Sequence, residues 1–201
     1  MRNTLLFAIV GEGKADVLMQ VAKKAGSTGG TILTGRGTAS SSLLCILGLG
    51  DSHKEILMTV INDAVKDAVF KAISNDRHVH GVLAAVPASW DGEASPAPKT
   101  VEWNLINVIC TSGYADDIMT AARKAGASGG TIVNGRGTAK SDDIAFYGST
   151  LVPEKELLMM FVKREHTDRI LASIAQLSCM QNPGSGIAFT LAVQEVIKLG
   201  R

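Results

Sequence analysis

The chain has 201 residues, room for one large domain or for two of about 100 residues each. Hydrophobic residues make up 46% and charged residues 19%, with a mean hydropathy of +0.19, so the chain can fill a core and is not disordered by composition. Twenty basic against 19 acidic side chains give a net charge of +1. That excludes a global field for holding a nucleic-acid backbone or an anionic membrane, and partners must be recognised at local sites.

In chain order, the β-prone run Leu5–Val10 predicts a first strand. Gly11, Glu12 and Gly13 break it before it could span a bilayer or form a signal-peptide core. Leu18, Val21, Ala22 and Ala25 have helical spacing over 14–25, and Gly26 stands where a left-handed residue ends a helix. Gly29-Gly30-Thr31-Ile32 opens a second strand, which leads into a glycine-rich loop and returns at Leu43–Leu47. A third strand is predicted at Glu55–Ile61. A second helix follows, capped by Asn62 or Asp63 and carrying Val65, Val69 and Ile73, and a fourth strand lies at Val82–Val86. From Ala88 to Thr100, Gly92, Pro96 and Pro98 deny both helix and ladder. The reading is a first domain at 1–88, a linker at 89–102 and a second domain at 103–201. Trp90 and Trp103 flank the linker and are read as packing residues that pin it.

The second half repeats the first. Residues 15–39 recur as 115–139 with 16 of 25 positions identical, and the match continues more weakly at 54–61 with 155–162, 66–73 with 167–174, and 81–88 with 186–193. The corresponding predictions are a strand at Leu105–Thr111, a helix over 114–125 ended by Gly126, a strand from Gly129 returning at Ile144–Tyr147, and a strand at Leu157–Val162. A helix capped by Thr167 with Ile170, Ile174 and Leu177, and a strand at Ile187–Val193, complete the copy. Two copies are too few for a solenoid. The order βαββαβ, twice, is the ferredoxin-like motif, so the fold class is α+β with helices on one face of each antiparallel sheet. The strands are apolar almost continuously, so the other sheet face also needs a cover, from oligomerisation or from packing of the two copies.

Gly35-Arg36-Gly37-Thr38 recurs as Gly135-Arg136-Gly137-Thr138. Two glycines permit positive φ, backbone N–H groups can then converge on an anion, and the arginine adds a bidentate fork. A phosphate or carboxylate site and a hairpin-type turn with a solvated arginine both fit this spacing; a P-loop does not. His78 and His80 lie on one side of an extended segment, a conceivable metal half-site with no third ligand in view. His53 and His166 have no partner by sequence. Asp142 with Asp143 and Glu154 with Glu156 are paired acids read as solvent-facing. Met58, Met159 and Met160 read as core filler. Cys45, Cys110 and Cys179 are too far apart for a disulfide framework or a thiolate metal site, which fits a reducing cytoplasm.

The helix and Ala-Gly-Ala-Ser-Gly-Gly-Thr-Ile run within 115–133, the strand-and-helix pattern over 151–175, and Gly184-Ser-Gly186 leading into the strand to Val193 resemble the nitrogen-regulatory PII signalling proteins. Pro87 matches a proline typical of that family's fourth strand, and the Gly-Gly-Thr-Ile…Gly-Arg-Gly-Thr pattern is similar to its short-looped, PII-like branch. The resemblance implies a non-enzymatic, cytoplasmic regulator, which binds a small anionic metabolite or an adenine nucleotide in clefts between domains and acts on a transporter or enzyme, in nitrogen metabolism. It also implies ligand-binding roles for Thr31, Thr131, Gly184, Gly186 and Lys198, and places 35–38 and 135–138 at the base of the effector loops. At the family's phosphate-binding lysine this chain has Ile187, or Val82 in the first copy. At a second C-terminal arginine it has Gly200, and Val79 replaces the leading glycine of the first copy. The expected assembly is a trimer of two-domain chains. The alternative is a ferredoxin-like enzyme or metal-responsive trimer using His78, His80, Asp142 and Asp143.

Overall fold

The computed structural model describes residues 2–38, 52–89, 101–137, 145–146, 149–150, 154–181 and 186–200. The first strand, β1 (Arg2–Gly11), shows how the elements are built, since its side chains alternate between two buried clusters. Leu6, Ala8 and Val10 enter one and Phe7 and Ile9 the other. The order continues with α1 (Ala15–Lys24), β2 (Thr31–Gly37), β3 (Ser52–Asn62), α2 (Asp63–Ser74) and β4 (Gly81–Ser89). The second half repeats it with β5 (Trp103–Thr111), α3 (Ala115–Lys124), β6 (Thr131–Arg136), β9 (Glu154–Lys163), α4 (Arg164–Ala175) and β10 (Gly186–Val193). It adds a short hairpin, β7 (Ala145–Phe146) with β8 (Ser149–Thr150), a one-turn helix α5 (Ser178–Gln181), and a last strand β11 (Glu195–Leu199). The fold is thus α+β with two similar βαββαβ halves, as the sequence predicts.

Two local expectations change. Of the strand predicted to return at Ile144–Tyr147, the described residues Ala145 and Phe146 form β7, which pairs with β8 outside the main sheet; its twin at Leu43–Leu47 falls outside the described residues. Asn62 caps α2, its Oδ1 accepting the Ala64 N–H at 2.8 Å, but Thr167 does not cap α4. There β9 runs on to Lys163 and turns directly into the helix. Thr167 is left one turn inside, buried, with its hydroxyl accepting from Asn104 Nδ2 at 3.0 Å.

The main sheet has nine strands in the order β10-β5-β9-β6-β2-β3-β1-β4-β11. Each half contributes four strands in ferredoxin-like order, and the halves join edge to edge where β2 pairs with β6 through Arg36↔Ile132 and Gly37↔Thr131. β11, which the sequence reading did not anticipate, crosses over. It belongs to the second half by sequence but pairs with β4 of the first, from Glu195↔Ala85 to Leu199↔Gly81. The strands at the two ends of the order, β10 and β11, are separated only by Gln194, whose N–H donates to Ala85 O at 2.8 Å. A sheet whose two ends are one residue apart in the chain is bent round on itself.

That curvature makes three cores. α1 and α2 pack on the outer face of the first half around Leu18, Leu57, Ile73 and Leu83, and α3 and α4 do the same around Ile118, Leu158, Ile170 and Ile174. The third core lies on the concave face and draws on all nine strands, from Phe7, Ile56, Leu33 and Val86 to Leu105, Val133, Met159, Val193 and Val196. Packing of the two halves, one of the two covers the apolar strands called for, therefore supplies the burial of the second face. Met58 and Met159 are part of that filling and Met160 of the outer core.

Candidate functional site

The first Gly-Arg-Gly-Thr segment is not a loop. Gly35, Arg36 and Gly37 lie in β2, and neither glycine has the positive φ that the anion-cradle reading required. Gly35 is there for proximity, since a Cβ on it would stand 2.5 Å from Ile132 O of β6. Arg36 spends its fork within the chain. Nη1 donates to Asp116 Oδ1 at 3.0 Å and Nη2 to Oδ2 at 2.8 Å, with Glu156 Oε1 3.9 Å from Nη2. Thr38 is buried and doubly tied to Gly130, its N–H and hydroxyl meeting Gly130 O and N at 2.8–3.1 Å, while Arg123 Nη2 donates to Thr38 O. The segment is a clasp between the halves.

Its twin differs. Gly135 and Arg136 end β6 exposed, and a Cβ on Gly135 would find nothing nearer than Lys155 O at 3.9 Å. The Arg136 side chain has no hydrogen bond or ion pair among the described residues, although its backbone pairs with Glu154 of β9. It lines a shallow depression of about 450 Å³ with Asn134, Glu154, Lys155 and Ser112. Gly137 follows β6, and Thr138 falls outside the described residues. Thr31 is exposed at the start of β2, whereas Thr131 is buried opposite Gly37.

The paired acids do not both face solvent. Glu154 does, but Glu156 is buried, its Oε2 accepting the N–H groups of Gly113 and Ala115 at 3.0 and 3.1 Å at the start of α3. Glu55 serves α1 in the same way, accepting the Ala15 N–H at 2.9 Å. The backbone N–H of Ala15, with those of Gly13 and Lys14, holds the Glu55 carboxyl below its ordinary pKa, against a smaller opposing effect of burial. Asp142 and Asp143 lie outside the described residues. His78 and His80 are exposed, and the His80 ring packs on Gly200, where φ is +77° and a Cβ would lie 2.1 Å from Nδ1. Among the described residues no group of three or more His, Cys, Asp or Glu is placed to hold a metal ion.

The residues best placed to hold a ligand surround a cleft of about 1000 Å³ where the concave core opens. Lys54 of β3, Val82 of β4 and Lys198 of β11 line it, in strands whose next concave-face residues, Ile56, Ala84 and Val196, belong to the shared core. The turn after α2 adds Asp76 and Arg77, and the second half adds Trp103 and Phe161. Among the described residues three cations thus face a single lining carboxylate, that of Asp76, which itself accepts the His78 N–H at 2.9 Å. The cleft unites β11, the first half and aromatic residues of the second half. It exists only because the sheet curls.

Of the residues singled out from sequence, Lys198 lies in the cleft, Arg36 and Thr38 lie in the clasp, and Arg136 lies in neither. Gly186 sits in β10 opposite Cys110 and beneath Met180, and Gly184 is outside the described residues. Val79 is buried in the first outer core. Trp103 both packs in the concave core and lines the cleft, and Trp90 is not among the described residues. Lys54 and Arg77 were missed. The Lys-Glu pair that Lys54 begins recurs as Lys155-Glu156, a signal that could have drawn attention to it.

Residues 103–201 match the family model described as Nitrogen regulatory protein P-II, so the second half is similar to that family. No curated protein matches the chain. Among solved structures, a chlorite dismutase double mutant from Candidatus Nitrospira defluvii aligns over 94% of this chain and 91% of its own at 9% identity, with a TM-score of 0.24. An anthrone oxidase-like protein aligns over 100% of this chain and 94% of its own, also at 9% identity, with a TM-score of 0.22. Likeness at that level carries nothing about this chain's chemistry. No helix among the described residues is long and apolar enough to cross a membrane.

Proposed function

We propose that this chain is a PII-like signalling protein that binds a small anionic metabolite or an adenine nucleotide in the cleft between its halves and regulates a partner protein, in nitrogen metabolism. The observation that carries this reading is the excess of Lys54, Arg77 and Lys198 over Asp76 in a cleft that Trp103 and Phe161 also line. Cations at a concave mouth raise the local concentration of anions, and aromatic side chains in its lining suit a planar ring. The P-II match of the second half, which contributes β11 and both aromatics, supports a sensor over an enzyme. In this reading the protein is cytoplasmic and self-associates as a trimer of two-domain chains. Ligand binding shifts the population of the segments that follow Thr38 and Gly137, and these touch the partner.

A thermal-shift screen with ATP, ADP, AMP, 2-oxoglutarate, bicarbonate and divalent metals tests it. At 100 times its Kd a ligand adds about 2.7 kcal/mol to stability, enough for a clear rise in Tm. Stabilisation by one of the anions, lost in the Lys54→Ala, Lys198→Ala double variant, supports the cleft. Stabilisation by metal alone, abolished in His78→Ala, overturns the reading in favour of a metal-responsive protein.

A further inference from the structure

The seam between β2 and β6 is closed at one end only, although the sequence equips both. Under the 100-residue offset of the repeat, the pairs Arg36↔Ile132 and Gly37↔Thr131 become Arg136↔Ile32 and Gly137↔Thr31, so the register reads the same from either end. The first two pairs form and the second two do not. Burial follows the ladder. Gly37, Thr131 and Ile132 are buried at the closed end, while Thr31 and Arg136 are exposed and Ile32 and Gly137 only partly covered at the open one.

The parts of a second clasp are nevertheless in place. Arg36 grips Asp116 in the first turn of α3, and the twin residues are Arg136 and Asp16, which lies in the first turn of α1. Both twins are exposed, and neither has an ion pair among the described residues. Glu55 already caps α1 as Glu156 caps α3. Gly135 adds an independent indication. A glycine inside a strand loses backbone entropy and offers no side chain to pack, and Gly35 is required because Ile132 O lies against it. Gly135 has open space in its place, and closing the seam would bring the twin carbonyl, that of Ile32, against it.

We propose that Arg136 and Asp16 form a second latch, the twin of Arg36 and Asp116, and that the seam interconverts between this half-zipped state and one in which β2 and β6 pair along both ends. The latch sits at the base of the segment after Gly137.

Amide hydrogen exchange of the full chain tests this, comparing wild type with Asp16→Asn. Among the described residues Asp16 makes no ion pair in the open state, and the loss of its charge from the first turn of α1 acts on that helix, so a permanently open seam predicts no change over β2 and β6. The latch predicts exchange about two- to fivefold faster over 31–35 and 133–136, the range set by a typical exposed ion pair. Asp116→Asn is the control that loosens 36–38 and 130–132 instead. In a chain with Cys45, Cys110 and Cys179 replaced by alanine, Thr31→Cys with Gly137→Cys forms an intramolecular disulfide under mild oxidation if the open end closes. Unchanged exchange in Asp16→Asn overturns the proposal, as does failure of the folded double-cysteine chain to crosslink.

Discussion

Arg36 and Asp116, 80 residues apart, meet through two parallel N–H···O bonds of 3.0 and 2.8 Å and hold β2 of the first half to the start of α3 in the second. The guanidinium side chain is 27% exposed and the carboxylate 64%, so solvent screens most of their attraction. Bidentate geometry places the pair at the upper end of the range for exposed salt bridges, about 0.5–1 kcal/mol. A double-mutant cycle of Arg36→Ala and Asp116→Ala, read by urea denaturation, should return a coupling of that size. Strictly additive losses would remove the pair from the seam's energetics.

The concave core makes the halves one cooperative unit. Leu105 is fully buried in it, and Leu105→Ala should cost about 2–5 kcal/mol as lost transfer energy plus cavity. Because residues of both halves line that core, far-UV and Trp103 fluorescence transitions should shift together. A variant in which they separate would mean that the halves unfold independently.

Glu55 predicts an acid limb of stability. Its folded pKa lies below the unfolded value of about 4.3, so the stabilisation is complete above that pH and is lost as pH falls through the lower, folded pKa. Glu55→Gln should flatten the fall in Tm over that acidic window and leave the neutral-pH profile nearly parallel to wild type. An unchanged acid limb contradicts the capping role.

The thiols should differ in reactivity. Burial, with the Glu156 charge second, pushes the Cys110 thiol up to about 11, while Cys179 is only partly buried and is raised by burial as well. At pH 8 iodoacetamide should modify Cys179 well before Cys110, as read by peptide mass spectrometry. Equal rates would indicate that β5 opens readily beneath α5.

The halves, their element order and their two-sided apolar strands were legible because they rest on local periodicity and on the repeat itself. Thr167 was misplaced as a cap because the end of β9 is set by pairing with β5, where Lys163 still opposes Trp103. Arg36 fitted both an anion site and a turn with a solvated arginine, and its ion pair was not legible because nothing local indicates that Asp116 would reach it. The cleft was the least legible feature. Lys54, Arg77 and Lys198 are far apart in sequence and come together only when β11 crosses to β4 and the sheet curls.

The central claim is that an anion binds where β3, β11 and the turn after α2 meet the second half. Isothermal titration with the anion that gives the largest thermal shift tests this most directly, in wild type, in the Lys54→Ala, Lys198→Ala double variant, and in Arg36→Ala as a control outside the cleft. Binding should weaken with added salt, drop at least about tenfold in the double variant, and be retained in Arg36→Ala. Equal affinity in wild type and the double variant would contradict it.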